Sequence, residues 1–319
     1  MEYVLGIDSG GTKFLVRAAD RNGHPLGSFE GAPASINRMS REVMKERVSE
    51  NIRTLLSKCS LQLKDCRIIV CASTGVDSPL SKEQTCSVYR EMEGVNCPVV
   101  CINDAEAALY ASSGETGVIV ISGTGSIAFG RDRNGTEWRC GGWPLCIFGD
   151  EGSGTWLNRK ALEYMSHVID GRIEKTPLYS LLDEELDKSM QTEEKDPVEK
   201  LISVCKRIER EGSGFLHLGP LIMKAAQEED YAKELIRTEA KHTFDLVRGV
   251  LEHLSFRDDD IRIGAWGSAI VKNPLHFVMF EEMIKERWPK AEVKIPQEDA
   301  AKGACRLGND ILDGRTEMK

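Results

Sequence analysis

An internal repeat constrains the fold of this chain more than any other feature. The first half carries Asp-Ser-Gly-Gly-Thr at residues 8–12 after a short apolar run, and then Asp-Arg-Asn-Gly at residues 20–23. The second half carries Ser-Gly-Thr-Gly-Ser at residues 122–126 after another apolar run, and then the same Asp-Arg-Asn-Gly at residues 132–135. Because Asn-Gly between apolar segments is typical of a β-hairpin, both halves are predicted to open with the same antiparallel strands.

Apolar periodicity beyond these turns predicts the element order βββαβαβα, which recurs in the second half. Asp299 is followed by two alanines and Asp104 by one. The last part of the second copy therefore resembles the corresponding part of the first. Residues 152–256 separate the two parts of the second copy and are predicted to form a mostly helical insertion, with one helix over residues 219–254. The chain is therefore predicted to be a duplicated α/β unit with helices inserted in the second copy.

The length of 319 residues suggests two domains, since a domain typically has about 150 residues. The repeat places the first domain at residues 1–116, completed by a C-terminal helix at about 305–319. The second domain then covers residues 117–304. Two facing copies create a cleft, and clefts of this kind commonly bind ligands.

Charge and composition exclude several classes of function. The 51 acidic residues exceed the 42 basic ones, giving a net charge of −9, which disfavours binding to nucleic acid or to an anionic membrane. No apolar run approaches the roughly 18 residues of a membrane helix, and no signal peptide is recognisable, so a cytoplasmic protein is predicted. The ten cysteines lack the close spacing typical of zinc sites and are predicted to be reduced thiols.

Each glycine-rich turn joins two strands, whereas a Walker A loop or a dinucleotide-binding fingerprint leads into a helix. Glycines let the backbone approach a ligand, and successive N–H groups with a nearby hydroxyl form a nest for phosphate. A single turn of this kind is most simply an ordinary hairpin. The matched pair instead favours two opposed phosphate-binding turns.

Two aspartates stand at predicted strand ends. Asp8 is predicted to hold Mg²⁺ beside the phosphates, often through water, although it could instead stabilise the turn. Asp104 opens a helix, where aspartate is a common N-cap, and it is also placed to act as a general base. The many glycines of residues 141–154 favour a shaped loop around a small ligand over a flexible loop.

These turns, together with Asn-Asp-Ala at residues 103–105 and the glycine-rich stretches 140–143 and 149–153, resemble the motifs of N-acetylglucosamine kinases of the BadF/BadG/BcrA/BcrD ATPase family. That family belongs to the actin, sugar-kinase and heat-shock ATPase superfamily. The resemblance covers nearly the whole chain and is weakest over residues 165–215. It implies two ribonuclease H-like, actin-like ATPase domains, with ATP and sugar in the cleft between them.

The resemblance also implies roles for individual residues. Those expected at the phosphates of ATP are Asp8, Gly10, Gly11, Thr12, Lys13, Gly123, Thr124 and Gly125. Those expected at adenosine are Gly219, Gly267 and Ser268. Those expected around the sugar are Asn37, Asp104, Gly142, Trp143 and Asp150, with Asp104 as catalytic base.

The implied activity is ATP- and Mg²⁺-dependent phosphorylation of an N-acetylated amino sugar, with N-acetylglucosamine converted to its 6-phosphate. N-acetylmuramate and glucosamine stay open as acceptors, and so does a homodimer. An activator ATPase that drives a partner enzyme would share the nucleotide motifs but lack a sugar pocket. Asn37, Trp143 and Asp150 therefore favour the kinase.

Overall fold

The computed structural model describes residues 1–10, 13–36, 39–73, 75–76, 78–143, 149–191, 194–257 and 259–316. The chain divides into two compact units. The first comprises Met1–Ile119, Gly130–Thr136 and Ile295–Lys319, and the second comprises Val120–Phe129 and Glu137–Lys294. The predicted domain boundary at residues 116 and 117 stays a prediction. Among the described residues, no helix has the length and apolar character needed to cross a membrane.

In the described residues, ten strands form two sheets of five. The strands are β1 Tyr3–Ser9, β2 Phe14–Asp20, β3 Pro25–Gly31, β4 Cys66–Ser73, β5 Val99–Asn103, β6 Gly117–Ser122, β7 Ser126–Arg131, β8 Glu137–Gly141, β9 Arg262–Trp266 and β10 Glu292–Lys294. The first sheet has the order β3-β2-β1-β4-β5, and the second has the order β10-β9-β6-β7-β8. Read from its other end, the second order repeats the first, as the sequence repeat predicts.

Eleven α-helices accompany these sheets in the described part of the chain. They are α1 Arg41–Cys59, α2 Pro79–Arg90, α3 Asp104–Ser113, α4 Gly154–Ile169, α5 Pro177–Met190, α6 Pro197–Glu211, α7 Gly219–Ala225, α8 Asp230–Leu251, α9 Ser268–Val271, α10 Pro274–Arg287 and α11 Ala300–Leu312. The predicted order βββαβαβα is thus confirmed in the first half. Helices α4 to α8 occupy the predicted insertion.

The prediction of one continuous helix over residues 219–254 was wrong, because α7 ends at Ala225 and α8 begins at Asp230. Glu229 lies in the break with an extended backbone. Its carboxylate accepts hydrogen bonds from the Leu178 N–H, at 2.9 Å, and from the Thr176 hydroxyl, at 2.5 Å. Glu229 therefore satisfies the start of α5, where backbone N–H groups lack partners within the helix, and this tertiary contact interrupts the helical pattern.

The first sheet is covered on both faces, because successive residues of a strand point to opposite sides. Tyr3, Leu5 and Ile7 of β1 lie in the core that packs against α1 and α2. Val4 lies in the opposite core, with residues of α3 and α11. The C-terminal helix is therefore part of the first unit.

Helix α11 approaches its neighbours at two glycines. A Cβ atom on Gly6 of β1 would lie 2.1 Å from the carbonyl oxygen of Ala301. A Cβ atom on Gly303 of α11 would lie 2.2 Å from the carbonyl oxygen of Ala107 in α3. Both partner atoms belong to the backbone and cannot move aside locally. The spacing of α11 against β1 and α3 thus requires hydrogen at these two positions.

Replacing Gly303 with alanine should lower the free energy of unfolding by about 1–3 kcal/mol through overpacking. The loss is expected even though alanine is the better helix former by about 1 kcal/mol. Urea denaturation followed by circular dichroism measures this change. The matched control is Gly214→Ala, because no atom lies within 4 Å of a Cβ there. Equal stability of Gly303→Ala and the wild type would contradict the close packing of α11.

Candidate functional site

The parallel strands of the first sheet bring two carboxylates to one edge. Asp8 of β1 pairs in register with Ala72 of β4, and Ala72 pairs with Ile102 of β5. Asp104 follows directly after the end of β5. Because the carboxyl ends of parallel strands point the same way, Asp8 and Asp104 lie at the same edge of this sheet, where α/β proteins commonly bind ligands.

Asp8 is mostly buried, and its electrostatic surroundings are unusual for an aspartate. Burial raises the pKa of Asp8 to about 6, Lys13 counteracts this shift, and the negative charges of Asp104 and Asp299 add to it. A carboxylate in such surroundings is costly to ionise and gains from a nearby cation.

This arrangement fits a magnesium ion held through water. Among the described residues, no group of three or more His, Cys, Asp or Glu side chains is arranged to hold a metal directly. Mg²⁺ usually keeps several of its waters and uses only one or two carboxylates together with substrate phosphates. Asp8 is therefore suited to a water-mediated contact.

Asp104 shares the capping of its helix with the residue before it. The N-cap of α3 is Asn103, whose Oδ1 accepts a hydrogen bond from the Ala105 N–H at 2.8 Å. Asp104 is the first residue of α3 and is partly exposed, and its own Oδ1 accepts from the same N–H at 2.9 Å. Capping of α3 is the structural alternative to a catalytic role for Asp104, and Asn103 shares that cap.

Asp299 belongs to the same acidic group but was not predicted as a site residue. It caps α11 by accepting the Lys302 N–H at 3.0 Å, and it pairs with the Arg17 guanidinium, whose Nε and Nη2 lie 2.9 and 2.5 Å away. Burial acts to raise the pKa of Asp299, but these hydrogen bonds hold it below its usual value. Its echo of Asp104 in the sequence was the signal that could have identified it.

The turn between β1 and β2 is closed by the Gly10 N–H, which donates to the Lys13 carbonyl oxygen at 3.0 Å. Beside it, the Ser9 hydroxyl donates to the Ala34 carbonyl oxygen, and Arg47 donates to the Pro33 carbonyl oxygen at 3.0 Å. The segment that leads toward residue 37 is therefore anchored next to β1. The predicted site residues Gly11, Thr12 and Asn37 lie outside the described residues.

In the second unit, helix α4 grips the turn between β6 and β7. The Gly154 N–H donates to the Gly123 carbonyl oxygen at 2.8 Å, and the Thr155 hydroxyl donates to the Thr124 carbonyl oxygen at 2.7 Å. In a planar trans peptide the following N–H points opposite to the carbonyl. The N–H groups of Thr124 and Gly125 are therefore directed away from α4, as a phosphate nest requires.

Asp150 supports this phosphate-binding candidate. Its Oδ1 accepts the Ser126 N–H at 2.9 Å, and a Cβ atom on Gly125 would lie 2.6 Å from the same oxygen. Burial raises the pKa of Asp150, and the Ser126 N–H partly offsets that shift. Asp150 thus shapes the turn itself, while its predicted contact with the sugar stays a prediction.

Gly267, which separates β9 from α9, and Ser268, the first residue of α9, lie against the same turn. The backbone of Gly267 has φ +95°, which favours glycine, and a Cβ atom there would lie 2.3 Å from the Ser122 carbonyl oxygen. At Gly123 a Cβ atom would have more room, 3.8 Å from Gly267 Cα and 3.9 Å from Ser268 N. The second unit therefore brings together the predicted phosphate and adenosine residues at these positions.

Gly219 also lies near the start of α4. A Cβ atom on Gly219 would be 3.6 Å from Leu157 Cβ and 3.9 Å from the Gly154 carbonyl oxygen. The N–H of Gly154 holds the turn between β6 and β7. The third predicted adenosine residue therefore lies near the same end of α4.

The predicted sugar loop begins at Gly142 and Trp143. The Gly142 N–H donates to the Ser126 carbonyl oxygen at 2.9 Å, which ties the loop to β7. Trp143 is 54% exposed, and the Arg139 guanidinium lies 5.4 Å from its ring centre. The rest of the predicted loop, residues 144–148, lies outside the described residues.

Known proteins share this sequence over nearly its whole length. The profile of the BadF/BadG/BcrA/BcrD ATPase family matches residues 5–308. An N-acetylmuramic acid/N-acetylglucosamine kinase from Clostridium acetobutylicum is 30% identical, covering 98% of this chain and 100% of that protein. An N-acetyl-D-glucosamine kinase from Dictyostelium discoideum is 29% identical, covering 96% of this chain and 97% of that protein.

Solved structures show the same fold. A Chromobacterium violaceum protein proposed to be an N-acetylglucosamine kinase has a TM-score of 0.74 at 23% identity, covering 96% of this chain and 99% of that one. A ROK-family glucokinase from Streptomyces griseus, solved with glucose and AMPPNP, has a TM-score of 0.57 at 17% identity, covering 96% and 98%. These similarities, with the two matching sheets, confirm the predicted duplicated α/β fold.

Asp8→Asn should stabilise the protein at alkaline pH. The pKa of Asp8 is about 6 in the folded state against a reference value of 3.8, so the stability contributed by its neutral form is complete below pH 3.8 and is lost as the pH rises through 6. Asparagine cannot ionise, and the variant should gain about 2–3 kcal/mol over the wild type by pH 8.

Urea denaturation at pH 4, 6 and 8 without added metal measures this difference, which should be near its minimum at pH 4. A difference that is the same at all three values would contradict the burial of an ionisable Asp8.

Proposed function

Because the chain belongs to the BadF/BadG/BcrA/BcrD ATPase family, as its motifs predict, we propose that it transfers the γ-phosphoryl group of ATP to the 6-hydroxyl group of N-acetylglucosamine. The observation that carries this proposal is the repeated turn. In each sheet a glycine-rich turn follows the central strand, and in the second unit α4 orients its N–H groups for phosphate. The names of the two relatives near 30% identity support an amino sugar as acceptor.

Phosphoryl transfer depends mainly on positioning and on stabilising the charge of the phosphates. We expect the Thr124 and Gly125 N–H groups to donate to phosphate oxygens, because α4 holds the carbonyl oxygens of the turn on the opposite side. Asp8 would hold Mg²⁺ through water. When bound, the ion supplies positive charge to the β- and γ-phosphates.

Asp104 is proposed as the general base. It would accept the proton of the sugar 6-hydroxyl as the new O–P bond forms and the bond from the γ-phosphorus to the β,γ-bridging oxygen breaks, releasing ADP. Its location at the carboxyl edge of the sheet, beside Asp8, supports this role. The cap at Asn103 supports it further, since α3 does not depend on the Asp104 carboxylate alone.

The acceptor is proposed to bind around Asn37, Gly142, Trp143 and Asp150. The 54% exposure of Trp143 supports contact with the acetamide group, which is flat and can pack against an aromatic side chain. N-acetylmuramate is the second candidate acceptor, because the relative from Clostridium acetobutylicum carries both sugars in its name. It differs from N-acetylglucosamine by a lactyl ether, so one pocket could hold the acetamide of either.

Asp104→Asn should bind ATP and sugar normally but lose roughly 10²–10⁴-fold in kcat, the usual contribution of a general base. Coupled measurement of ADP formation gives kcat, and calorimetry with ADP gives the affinity. Asp20→Asn is a matched control, because Asp20 accepts the Asn22 and His24 N–H groups through an oxygen that asparagine retains. A near-normal kcat in Asp104→Asn would contradict its assignment as base.

The kinase should prefer N-acetylglucosamine to glucose by about 5- to 150-fold in kcat/KM. Glucose lacks the acetamide and would leave its polar partners unpaired, at a cost of roughly 1–3 kcal/mol. The measurement compares N-acetylglucosamine, N-acetylmuramate, glucosamine and glucose, with ADP release in the absence of sugar as the control. Equal use of glucose would refute the acetamide pocket, and ADP release that is independent of sugar would refute the kinase.

A further inference from the structure

Helix α4 contacts a second loop one helical turn beyond the residues that hold the turn between β6 and β7. This turn, at residues 123–125, is called the phosphate turn below. Asn158 Oδ1 accepts the Leu218 N–H at 2.9 Å and the Gly219 N–H at 3.1 Å. Its Nδ2 donates to the Leu216 carbonyl oxygen at 3.1 Å. One side chain therefore makes three hydrogen bonds to the backbone just before α7.

The segment before α7, residues 212–218, lacks helix and strand structure and begins with Gly-Ser-Gly, which constrains the backbone weakly. Besides the segment's bonds to Asn158, the Leu216 N–H donates to the Ser213 carbonyl oxygen at 3.0 Å, and the Arg207 guanidinium lies 4.0 Å from the Phe215 ring centre. Leu216 and Leu218 are buried, so the neighbouring backbone groups lose water and need partners within the protein. An asparagine side chain supplies a carbonyl acceptor and an amide donor together, which is the combination this segment uses.

The first two turns of α4 therefore connect two loops. Gly154 and Thr155 hold the turn with Gly123 and Thr124, and Asn158 holds Gly219. Both sets of contacts arise within one short stretch of helix, which is rigid. The separation between the phosphate turn and the start of α7 is therefore fixed through Asn158.

We propose that Asn158 is a positioning residue for the nucleotide, which keeps Gly219 at the distance from the phosphate turn that the nucleoside part of ATP requires. The proposal rests on the ATP binding proposed above. A Cβ atom on Gly219 would lie 3.9 Å from the Gly154 carbonyl oxygen, so this backbone lies near the end of α4 that holds the turn on which the phosphates are proposed to lie. A shift of residues 216–219 would then weaken contacts with the nucleoside and leave the phosphate contacts intact.

Asn158→Leu tests this proposal, because leucine has a similar shape and makes none of the three hydrogen bonds. The KM for ATP should rise about 10-fold, the loss expected for backbone groups left unpaired, while kcat and the KM for the sugar stay within about 2-fold. Calorimetry should show the same loss of affinity for ADP. Affinity for inorganic pyrophosphate, which has no nucleoside, should not change.

Asn158→Asp should recover most of the ADP affinity, since its carboxylate can accept both N–H groups. Asn309→Leu is the matched control outside the site: this helical asparagine in α11 donates to the Asp20 carbonyl oxygen at 3.0 Å and accepts from Arg21 at 2.6 Å. It should lower the melting temperature without raising the KM for ATP. If Asn158→Leu does not fold, Asn158→Ala is used in the same comparison of ADP with pyrophosphate.

The outcomes separate this inference from the proposed function. A wild-type protein that does not phosphorylate the sugar with ATP refutes the proposed function. An active wild type with unchanged ADP affinity in Asn158→Leu or Asn158→Ala refutes the positioning role. Equal weakening of ADP and pyrophosphate also overturns it, because that result indicates a general disturbance of the unit.

Discussion

Parallel pairing of β1 with β4, and of β4 with β5, is the constraint on which the first unit depends. It brings the ends of distant segments to one edge of a sheet, so that Asp8 and Asp104 become neighbours. The same pairing requires both faces of β1 to be buried. One face therefore carries large apolar side chains, while on the other Gly6 lets the backbone of α11 approach. The carboxylates at this edge of the sheet are therefore supported by closely packed residues on both faces of β1.

The second unit supports its turn differently. Helix α4 binds the carbonyl oxygens of Gly123 and Thr124, and Asp150 binds the next N–H along, from Ser126. The polar groups of the turn are therefore sorted: carbonyl oxygens face the protein, and the intervening N–H groups face away. Such sorting offers backbone N–H groups to an anion, so a net charge of −9 does not by itself disfavour the phosphate binding proposed for this turn.

Function and stability oppose each other at Asp8. Its burial near Asp104 and Asp299 raises its pKa, so the ionised form costs folding free energy at neutral pH. The same unfavourable field would favour a bound divalent cation, as proposed for Mg²⁺. Active sites commonly retain strain of this kind, which the rest of the fold must offset. In the first unit, the close packing of α11 through Gly303 and the ion pair between Arg17 and Asp299 surround the site with well-determined structure.

The sequence by itself determined the duplication, the element order and the two glycine-rich turns, because apolar periodicity and turn residues act over a few neighbours. It also singled out Asp8 and Asp104 as candidates, since each stands at the end of a predicted strand. Only the tertiary structure decided the break at Glu229, the pairing of Asp299 with Arg17, and the grip of Asn158 on Gly219. Each of these joins segments far apart in the chain, and no local pattern specifies which distant N–H group or guanidinium a side chain will meet.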